Sequence, residues 1–277
     1  MVKKMEKVCV ITGGGSGMGL GTAQIIGKDH CIIIAGRTVK KLESAVETLR
    51  KEGINAEAVA CDVSDRSSVD KLAARARELG IVSSVIHSAG LSPNMGDAKT
   101  IMTVNALGTI NVHGAFYEVM EAGSCLINIS SMSAYLAPEK IMPKKAFAYS
   151  QTDNTRFLKK VMFMVNFFPK KMRPGLAYAI SKNFVIWYSK AEAVKFGKKG
   201  IRVLSISPGS FDTDMGQLEK DGIARLMEKS AFPRFGKVEE IASLIAFCAG
   251  DKPSYLTGID ILCDGGCVAG NMKYGSC

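Results

Sequence analysis

Tyr178 and Lys182 are the pair of residues in this sequence whose types and spacing most clearly suggest chemistry. They stand four positions apart, so in a helix the ammonium group of Lys182 lies on the same face as the phenol. A free phenol has a pKa of about 10, and a neighbouring positive charge lowers that pKa because it favours the phenolate. The pair therefore predicts general acid–base chemistry, in which Tyr178 passes a proton to or from a substrate oxygen.

A glycine-rich segment near the amino terminus predicts a phosphate-binding turn. Residues 12–19 read TGGGSGMG and stand directly between a predicted strand and a predicted helix. Glycines let the backbone turn sharply and approach a pyrophosphate, whose negative charge the amino end of the helix stabilises. In this context the segment predicts a dinucleotide site, with contacts from Gly13, Ser16, Gly17, Met18 and Gly19.

The residues after the second and third predicted strands bear on which dinucleotide binds. The second strand leads into Gly36, Arg37 and Thr38, where an acidic residue would bind a ribose 2′-hydroxyl and a cation can neutralise a 2′-phosphate. We therefore assign Arg37 and Thr38 to the cofactor site and favour NADP(H). NAD(H) is the alternative if Arg37 is only a solvated charge. Asp62 either accepts a hydrogen bond from the adenine amino group or caps the helix that begins near Ser64.

The elements that would position these residues form an α/β pattern. Fully apolar strands that alternate with helices predict a Rossmann-type, doubly wound parallel sheet of about seven strands, covered by helices on both faces. Such a sheet binds ligands at the carboxyl ends of its strands, where the strand order reverses. We expect a single domain over residues 1–277, with a helical insertion near the substrate site at about 136–176. The predicted strands are 8–12, 31–35, 56–61, 85–88, 124–130, 201–207 and 259–263, and the predicted helices are 18–28, 39–52, 64–79, 100–121 and 177–196.

Composition limits the class of protein and its location. Hydrophobic residues make up 47% of the 277 residues and charged residues 22%, as is typical of a globular protein. The apolar run after the basic start is too short for a signal peptide, and the longest uncharged stretch is too polar to span a membrane. These features predict a cytoplasmic protein without a membrane span. The eight cysteines form no CxxC pair, which predicts free thiols and no metal site.

A series of further motifs resembles the short-chain dehydrogenase/reductase family along nearly the whole chain. In chain order the motifs are residues 12–19, Cys61-Asp62-Val63, His87-Ser88-Ala89-Gly90, Val104-Asn105-Ala106-Leu107-Gly108, Ile129-Ser130-Ser131, Tyr178-Ala179-Ile180-Ser181-Lys182, Ser207-Pro208-Gly209 with Thr213, and Asp264-Gly265-Gly266. The resemblance implies an NAD(P)(H)-dependent oxidoreductase that interconverts secondary alcohols and ketones.

The resemblance also implies roles for particular residues. The catalytic set would be Asn105, Ser131, Tyr178 and Lys182. Ser131 would bind the substrate oxygen, Lys182 the nicotinamide ribose, and Asn105 a water that links Lys182 to solvent. Beyond the glycine turn, the implied cofactor contacts are Asp62, Val63, Ala89, Gly90, Tyr178, Lys182, Pro208, Gly209 and Thr213. His87 and Ser88 replace two asparagines that, in the family, mainly steady the central sheet.

The distances between two pairs of motifs resemble those in one branch of the family, the bacterial 3α-hydroxysteroid dehydrogenase/carbonyl reductases. The stretch from Gly90 to Asn105 is short, and the stretch from Ser131 to Tyr178 is long. This branch implies a hydroxysteroid, bile-acid-like or related apolar carbonyl substrate. The alternatives are another carbonyl, such as a 3-oxoacyl thioester or a sugar ketone, and, from a different class, an NADP-binding regulatory module without turnover. The family implies a homodimer or homotetramer.

The long stretch is also the most basic part of the chain. Residues 136–176 hold nine lysines and arginines against two acids, which gives +7 of the total charge of +10. Apolar residues recur there at helical spacing, at Phe157, Val161, Met164, Val165 and Phe168. One interpretation is an oligomer contact with a solvated basic face. Another is a lid whose Met and Phe side chains face an apolar substrate and whose lysines attract an anion. Binding to nucleic acid or to a membrane surface is the least supported interpretation, because no recognition motif accompanies the charge.

Overall fold

A parallel sheet of seven strands forms the centre of the computed structural model, which describes residues 6–272. The strands are β1 (Lys7–Thr12), β2 (Cys31–Gly36), β3 (Ala56–Ala60), β4 (Ile81–His87), β5 (Cys125–Ile129), β6 (Arg202–Pro208) and β7 (Asp260–Cys263). Their order across the sheet is β3-β2-β1-β4-β5-β6-β7, and every neighbouring pair is parallel. The predicted doubly wound sheet is confirmed, and the strand order reverses between β1 and β4.

Helices cover both faces of the sheet. They are α1 (Gly17–Ile26), α2 (Val39–Lys51), α3 (Arg66–Leu79), α4 (Ala98–Met102), α5 (Gly108–Val119), α6 (Ser133–Leu136), α7 (Lys144–Phe147), α8 (Asn154–Asn166), α9 (Arg173–Gly197), α10 (Asp214–Leu218), α11 (Lys220–Met227), α12 (Val238–Ala249) and α13 (Cys267–Asn271). Helices α3, α5 and α9 pack on one face, and α1, α2 and α12 on the other. None of the helices found within residues 6–272 has the length and apolar character needed to cross a membrane.

The alternation of side chains along each strand explains why both faces need helices. In β1, Val8 and Val10 pack on the α3, α5 and α9 side, whereas Cys9 and Ile11 pack on the opposite side. All four side chains are fully buried. Because successive residues of a strand point to opposite faces, a continuous apolar run is stable only in a sheet covered on both sides.

Several elements differ from the sequence prediction. The helix predicted over 100–121 consists of α4, a π-helical segment (Thr103–Leu107) and α5. Strand β4 begins at Ile81 rather than at residue 85, because Ser83 and Ser84 interrupt its apolar pattern without ending its pairing with β1. Helices α6, α10, α11, α12 and α13 were not predicted. The cysteines among the described residues are all free, as predicted, and Cys277 lies outside the described residues.

The insertion at 136–176 is helical, as predicted, and is anchored in the core. Phe157, Val161 and Val165 of α8 are fully buried, and the Phe157 ring stacks on Phe184 of α9 at 4.6 Å between centroids. The opposite side of α8 exposes Phe163. The helical spacing in the sequence therefore identified a face that packs against α9.

Candidate active site

A cleft of about 520 Å³ opens at the carboxyl edge of the sheet, where the strand order reverses. Parallel sheets bind ligands at this place because the loops after neighbouring strands converge there. Sixteen of the residues that the sequence assigned to the site line this cleft: Gly13, Ser16, Gly17, Met18, Arg37, Thr38, Asp62, Val63, Ala89, Gly90, Ser131, Tyr178, Lys182, Pro208, Gly209 and Thr213. Gly19 and Asn105 were also assigned to the site but lie behind the lining.

The glycine turn between β1 and α1 forms one end of the cleft. Gly13 has φ of +72°, and a Cβ atom there would lie 2.8 Å from the amide nitrogen of Ala89. Gly19 supports the turn from behind, since its Cβ would lie 2.7 Å from the carbonyl oxygen of Gly13. Ser16 makes no side-chain hydrogen bond to the first turn of α1, which contains no acidic residue. This cradle fits an anionic pyrophosphate.

Arg37 and Asp62 lie near each other at the same end. Asp62 Oδ1 accepts hydrogen bonds from the backbone nitrogen and the hydroxyl of Ser64, at 2.9 and 2.7 Å. Burial raises the pKa of Asp62, but those two bonds and the charge of Arg37 outweigh it, so the net shift is downward. The cap of α3 is Asp65, which accepts from the backbone nitrogen of Ser67. Asp62 therefore orders the turn before α3 and does not cap the helix itself.

Tyr178 and Lys182 lie together on α9, at the other end of the cleft. Lys182 is 7% exposed, and its Nζ lies 5.8 Å from the centroid of the Tyr178 ring. Nζ donates a hydrogen bond of 2.9 Å to the carbonyl oxygen of Ile129, at the end of β5. Burial lowers the pKa of Lys182 to about 8.

The pKa of Tyr178 differs from the sequence expectation. Burial raises this pKa, the Ser131 hydroxyl opposes the increase, and the carboxylate of Glu219 adds to it, so the net shift is upward. The net shift is therefore opposite to the direction that the positive charge of Lys182 favours. The reason is that the phenol lies in a desolvated wall of the cleft, where forming a negative charge is unfavourable.

Asn105 belongs to the support of the site. It lies in the π-helical segment and is 1% exposed. Its Oδ1 accepts from the backbone nitrogen of Leu91 at 2.8 Å, and its Nδ2 donates to the carbonyl oxygen of Leu91 and to Ser181 Oγ. A Cβ atom at Gly90 would lie 3.2 Å from Asn105 Oδ1 and 3.4 Å from Lys182 Nζ. Gly90 thus allows the loop after β4 to approach both side chains closely.

His87 joins the two strands at the reversal point. The Thr12 hydroxyl lies 2.8 Å from His87 Nδ1 and accepts a hydrogen bond from the backbone nitrogen of Ala89. Burial lowers the pKa of His87 to about 3, so its ring is neutral at pH 7. His87 therefore links β1 to β4 at the position where the family usually has an asparagine.

Comparisons with known proteins bear on the family. A family model described as "short chain dehydrogenase" matches residues 7–143. A second family model, described as "Enoyl-(Acyl carrier protein) reductase", matches residues 168–268. Sorbose reductase of Schizosaccharomyces pombe is 30% identical to this chain, over 94% of this chain and 95% of that protein. The chain belongs to the short-chain dehydrogenase/reductase family. It is accordingly an NAD(P)-dependent oxidoreductase that acts on a small-molecule substrate.

Other members of the short-chain dehydrogenase/reductase family resemble this one at greater distance. The 3-oxoacyl-(acyl-carrier-protein) reductase of Thermotoga maritima is 26% identical over 95% of this chain and 98% of that protein. A short-chain dehydrogenase from Burkholderia cenocepacia, solved in complex with NADP, superposes with a TM-score of 0.76 at 22% identity. That likeness covers 96% of this chain and 99% of the other, and it supports the fold.

Residues of α10 and the position after it also line the cleft, which the sequence did not predict. Met215 and Glu219, from the region of α10, line the cleft. Lys41 of α2 forms a 3.2 Å ion pair with Asp214 of α10. Thr213 caps α10, since its hydroxyl accepts from the backbone nitrogen of Gly216 at 3.0 Å. The sequence does contain a signal for the start of this helix, a threonine before Asp214. Nothing in the local sequence shows that the helix contributes to the lining of the cleft.

Proposed function

We propose that this enzyme interconverts a ketone and a secondary alcohol with NADP(H), and that Tyr178 transfers the proton. The observation that carries the proposal is that Ser131, Tyr178 and Lys182 line the same cleft as the glycine turn at Gly13. These residues come from the ends of β1 and β5 and from α9, so their convergence depends on the whole fold.

The proposed roles follow from the contacts of each side chain. The bound cofactor supplies the hydride and, when oxidised, a positive charge that favours the phenolate. The Ser131 hydroxyl, which the backbone nitrogen of Ser133 contacts at 3.2 Å, orients the substrate oxygen. Tyr178 donates its proton to that oxygen during reduction and accepts it during oxidation. Lys182, fixed by Ile129, places a positive charge beside the phenol and binds the nicotinamide ribose.

Asn105 acts through the backbone and is a positioning residue. By binding both polar groups of Leu91, it fixes the loop that carries Gly90 next to Lys182. The presence of Asn105, Ser131, Tyr178 and Lys182 together also argues against a regulatory module without turnover. A binding protein does not require a buried Lys182 beside Tyr178.

NADP(H) is favoured over NAD(H) by the charge at the adenosine end. Arg37 lines the cleft and is exposed, and its charge already acts on Asp62. A guanidinium group there suits a 2′-phosphate, because it can donate two parallel hydrogen bonds to phosphate oxygens.

Apolar residues in the lining of the cleft support a substrate with an apolar body, such as a hydroxysteroid. Leu91, Val104, Met132, Leu136 and Leu226 all line the cleft. A sugar ketone is the second candidate, because sorbose reductase is the 30% identical relative described above.

Replacing Tyr178 by Phe tests the mechanism. We expect Tyr178→Phe to lower kcat about 10³-fold, because the proton donor is lost, and to leave the Kd for NADPH nearly unchanged. Tyr188→Phe is the matched control, since Tyr188 lies on the same helix, is 5% exposed and does not line the cleft. Ketone reduction at the wild-type rate by Tyr178→Phe would refute the mechanism.

Replacing Arg37 by Ser tests the cofactor preference. We expect Arg37→Ser to raise KM for NADPH roughly tenfold or more while KM for NADH changes little, because only the 2′-phosphate loses its partner. Lys40→Ser removes a neighbouring exposed charge that does not line the cleft and serves as the control. A wild type that prefers NADH would contradict the assignment.

A further inference from the structure

We propose that the exposed face of α8, together with the turn that follows this helix, binds the surface of a membrane that contains anionic lipids. Six exposed residues form this basic aromatic face: Lys159, Lys160, Phe163, Phe167, Lys170 and Lys171. None of the six lines the described cleft, so the proposal concerns a second surface of the enzyme and does not depend on the reaction.

Two exposed aromatic rings stand at the centre of the face. Phe163 and Phe167 are 66% and 74% exposed, and their ring centroids lie 4.8 Å apart at an interplanar angle of 90°. Apolar surface that remains in contact with water is unfavourable, and neighbouring exposed apolar side chains mark interaction sites. The pair therefore indicates a surface that becomes covered.

The helix that carries Phe163 is held firmly from its other side. Phe157, Val161 and Val165 are fully buried, and the Phe157 ring stacks on Phe184 of α9. A helix fixed in this way presents its exposed side chains in a set arrangement, so little backbone entropy is lost when they bind.

Unpaired positive charge surrounds the rings. Lys159 and Lys160 precede Phe163 by four and three positions, so they share its side of the helix. Lys170 and Lys171 follow Phe167. None of these four lysines forms an ion pair with another residue of the described chain. Residues 154–176 hold six lysines and arginines and no acid, so the charge is not neutralised locally.

This combination matches the surface of an anionic bilayer. Interfacial helices place aromatic rings at the level of the lipid headgroups, while lysines on the same segment are attracted by anionic lipids. In the sequence the basic charge lacked an accompanying recognition feature. The structure supplies one, because it places the exposed ring pair of Phe163 and Phe167 among the lysines.

Other partners fit the face less well. A symmetric contact between two copies of the chain would bring its lysines against the same lysines, and lysine is depleted in protein interfaces. Nucleic acid would also attract the lysines, but the bases of single strands stack on exposed ring faces. Phe163 and Phe167 pack edge to face on each other and offer no parallel platform.

Sedimentation with lipid vesicles tests the proposal on the full-length protein. The vesicles consist of phosphatidylcholine alone or of phosphatidylcholine with about 30% phosphatidylserine. We expect binding to the anionic vesicles and little binding to the neutral ones. The affinity should fall roughly tenfold or more between about 0.05 and 0.5 M NaCl, because salt screens the lysines.

A double lysine variant assigns the charge effect to α8. Lys159→Gln combined with Lys160→Gln should weaken binding to anionic vesicles roughly fivefold for each lysine lost. The matched control is Lys40→Gln combined with Lys51→Gln. It changes the net charge by the same amount on α2, which packs on the opposite face of the sheet, and should bind as the wild type does.

An aromatic variant tests the apolar part of the face. Phe163→Ser should weaken binding roughly fivefold or more, because one ring no longer enters the headgroup region, and should leave the salt dependence unchanged. Phe247→Ser is the control, since Phe247 is 54% exposed on α12, which packs on the other side of the sheet. Unaltered ketone reduction by each variant shows that it is folded.

Several results would overturn the proposal. The first is equal affinity for neutral and anionic vesicles, and the second is an equal loss for the α2 and α8 lysine pairs. The third is an oligomer that Phe163→Ser converts to a monomer in sedimentation equilibrium, which would make the face a subunit contact. The fourth is binding of single-stranded RNA, but not of vesicles, that Phe163→Ser abolishes.

Discussion

The charge of Lys182 is set by its surroundings rather than by its residue type. An exposed lysine has a pKa of about 10.4. Here burial lowers the pKa to about 8, and the hydrogen bond to Ile129 holds the ammonium group in place. The side chain is therefore charged at neutral pH but loses its charge within the range in which enzymes are assayed.

This shift predicts a pH dependence of ketone reduction. We expect kcat/KM, which reports the free enzyme, to fall as pH rises through about 8, because the neutral amine no longer supports the phenolate formed at Tyr178. Lys182→Arg keeps its positive charge, so its residual kcat/KM should stay level from pH 8 to about 9.5. A wild-type profile without a decline near pH 8 would show that Lys182 does not govern the rate.

At the scale of elements, the packing of α8 determines which side chains of the insertion are buried and which face solvent. The interpretation of this segment as a lid with Met and Phe side chains facing the substrate was wrong for the described cleft. Only Leu136 and Gly175, at the two ends of residues 136–176, line it. The aromatic residues divide instead between a buried face and a solvent face, since Phe157 is fully buried while Phe163 and Phe167 are 66% and 74% exposed.

This division predicts opposite effects of two Phe→Ala replacements on one helix. Phe157→Ala removes a ring that stacks on Phe184 and should lower the free energy of unfolding by about 3 to 5 kcal/mol. Phe163→Ala should cost less than about 1 kcal/mol, because the ring contacts mainly solvent and Phe167. Urea denaturation measures both. Similar losses for the two variants would mean that α8 packs through a different face.

At the scale of the whole molecule, two buried histidines connect folding to pH. His87 and His113 are each 3% exposed or less, and burial lowers the pKa of both to about 3. In the unfolded chain both return to about 6.5. Below pH 6.5 the unfolded state therefore binds protons that the folded state does not.

The stability of the protein should consequently fall as pH decreases from about 6.5 to 4.5. The expected loss approaches about 1.4 kcal/mol per pH unit for each histidine, and it is absent above pH 6.5. Equilibrium unfolding in urea at pH 7.5, 6 and 5 measures it, and His87→Asn should reduce the slope. Equal stability at pH 7.5 and 5 would contradict the prediction. Assembly into dimers or tetramers stays a prediction, which sedimentation can test.

The sequence alone determined the fold class, the order of the seven strands along the chain, and most of the assigned residues that meet at the cleft. Those features depend on local patterns: the continuous apolar runs of buried strands, the glycine turn after β1, and the spacing of four between Tyr178 and Lys182. The helical spacing of apolar residues that begins at Phe157 also predicted a helix with one apolar face. It did not show which part of the protein that face packs against.

The tertiary structure alone decided the electrostatics of the site and the packing of the basic insertion. The pKa of Tyr178 is raised because burial and the carboxylate of Glu219 outweigh Ser131, and these residues lie more than forty positions from Tyr178 in the chain. The lysines of residues 136–176, which suggested anion capture, do not line the cleft, and the apolar face of α8 packs against α9. The pKa of a side chain depends on its burial and on all the charges around it in the folded protein. A sequence pattern does not show which residues those neighbours are.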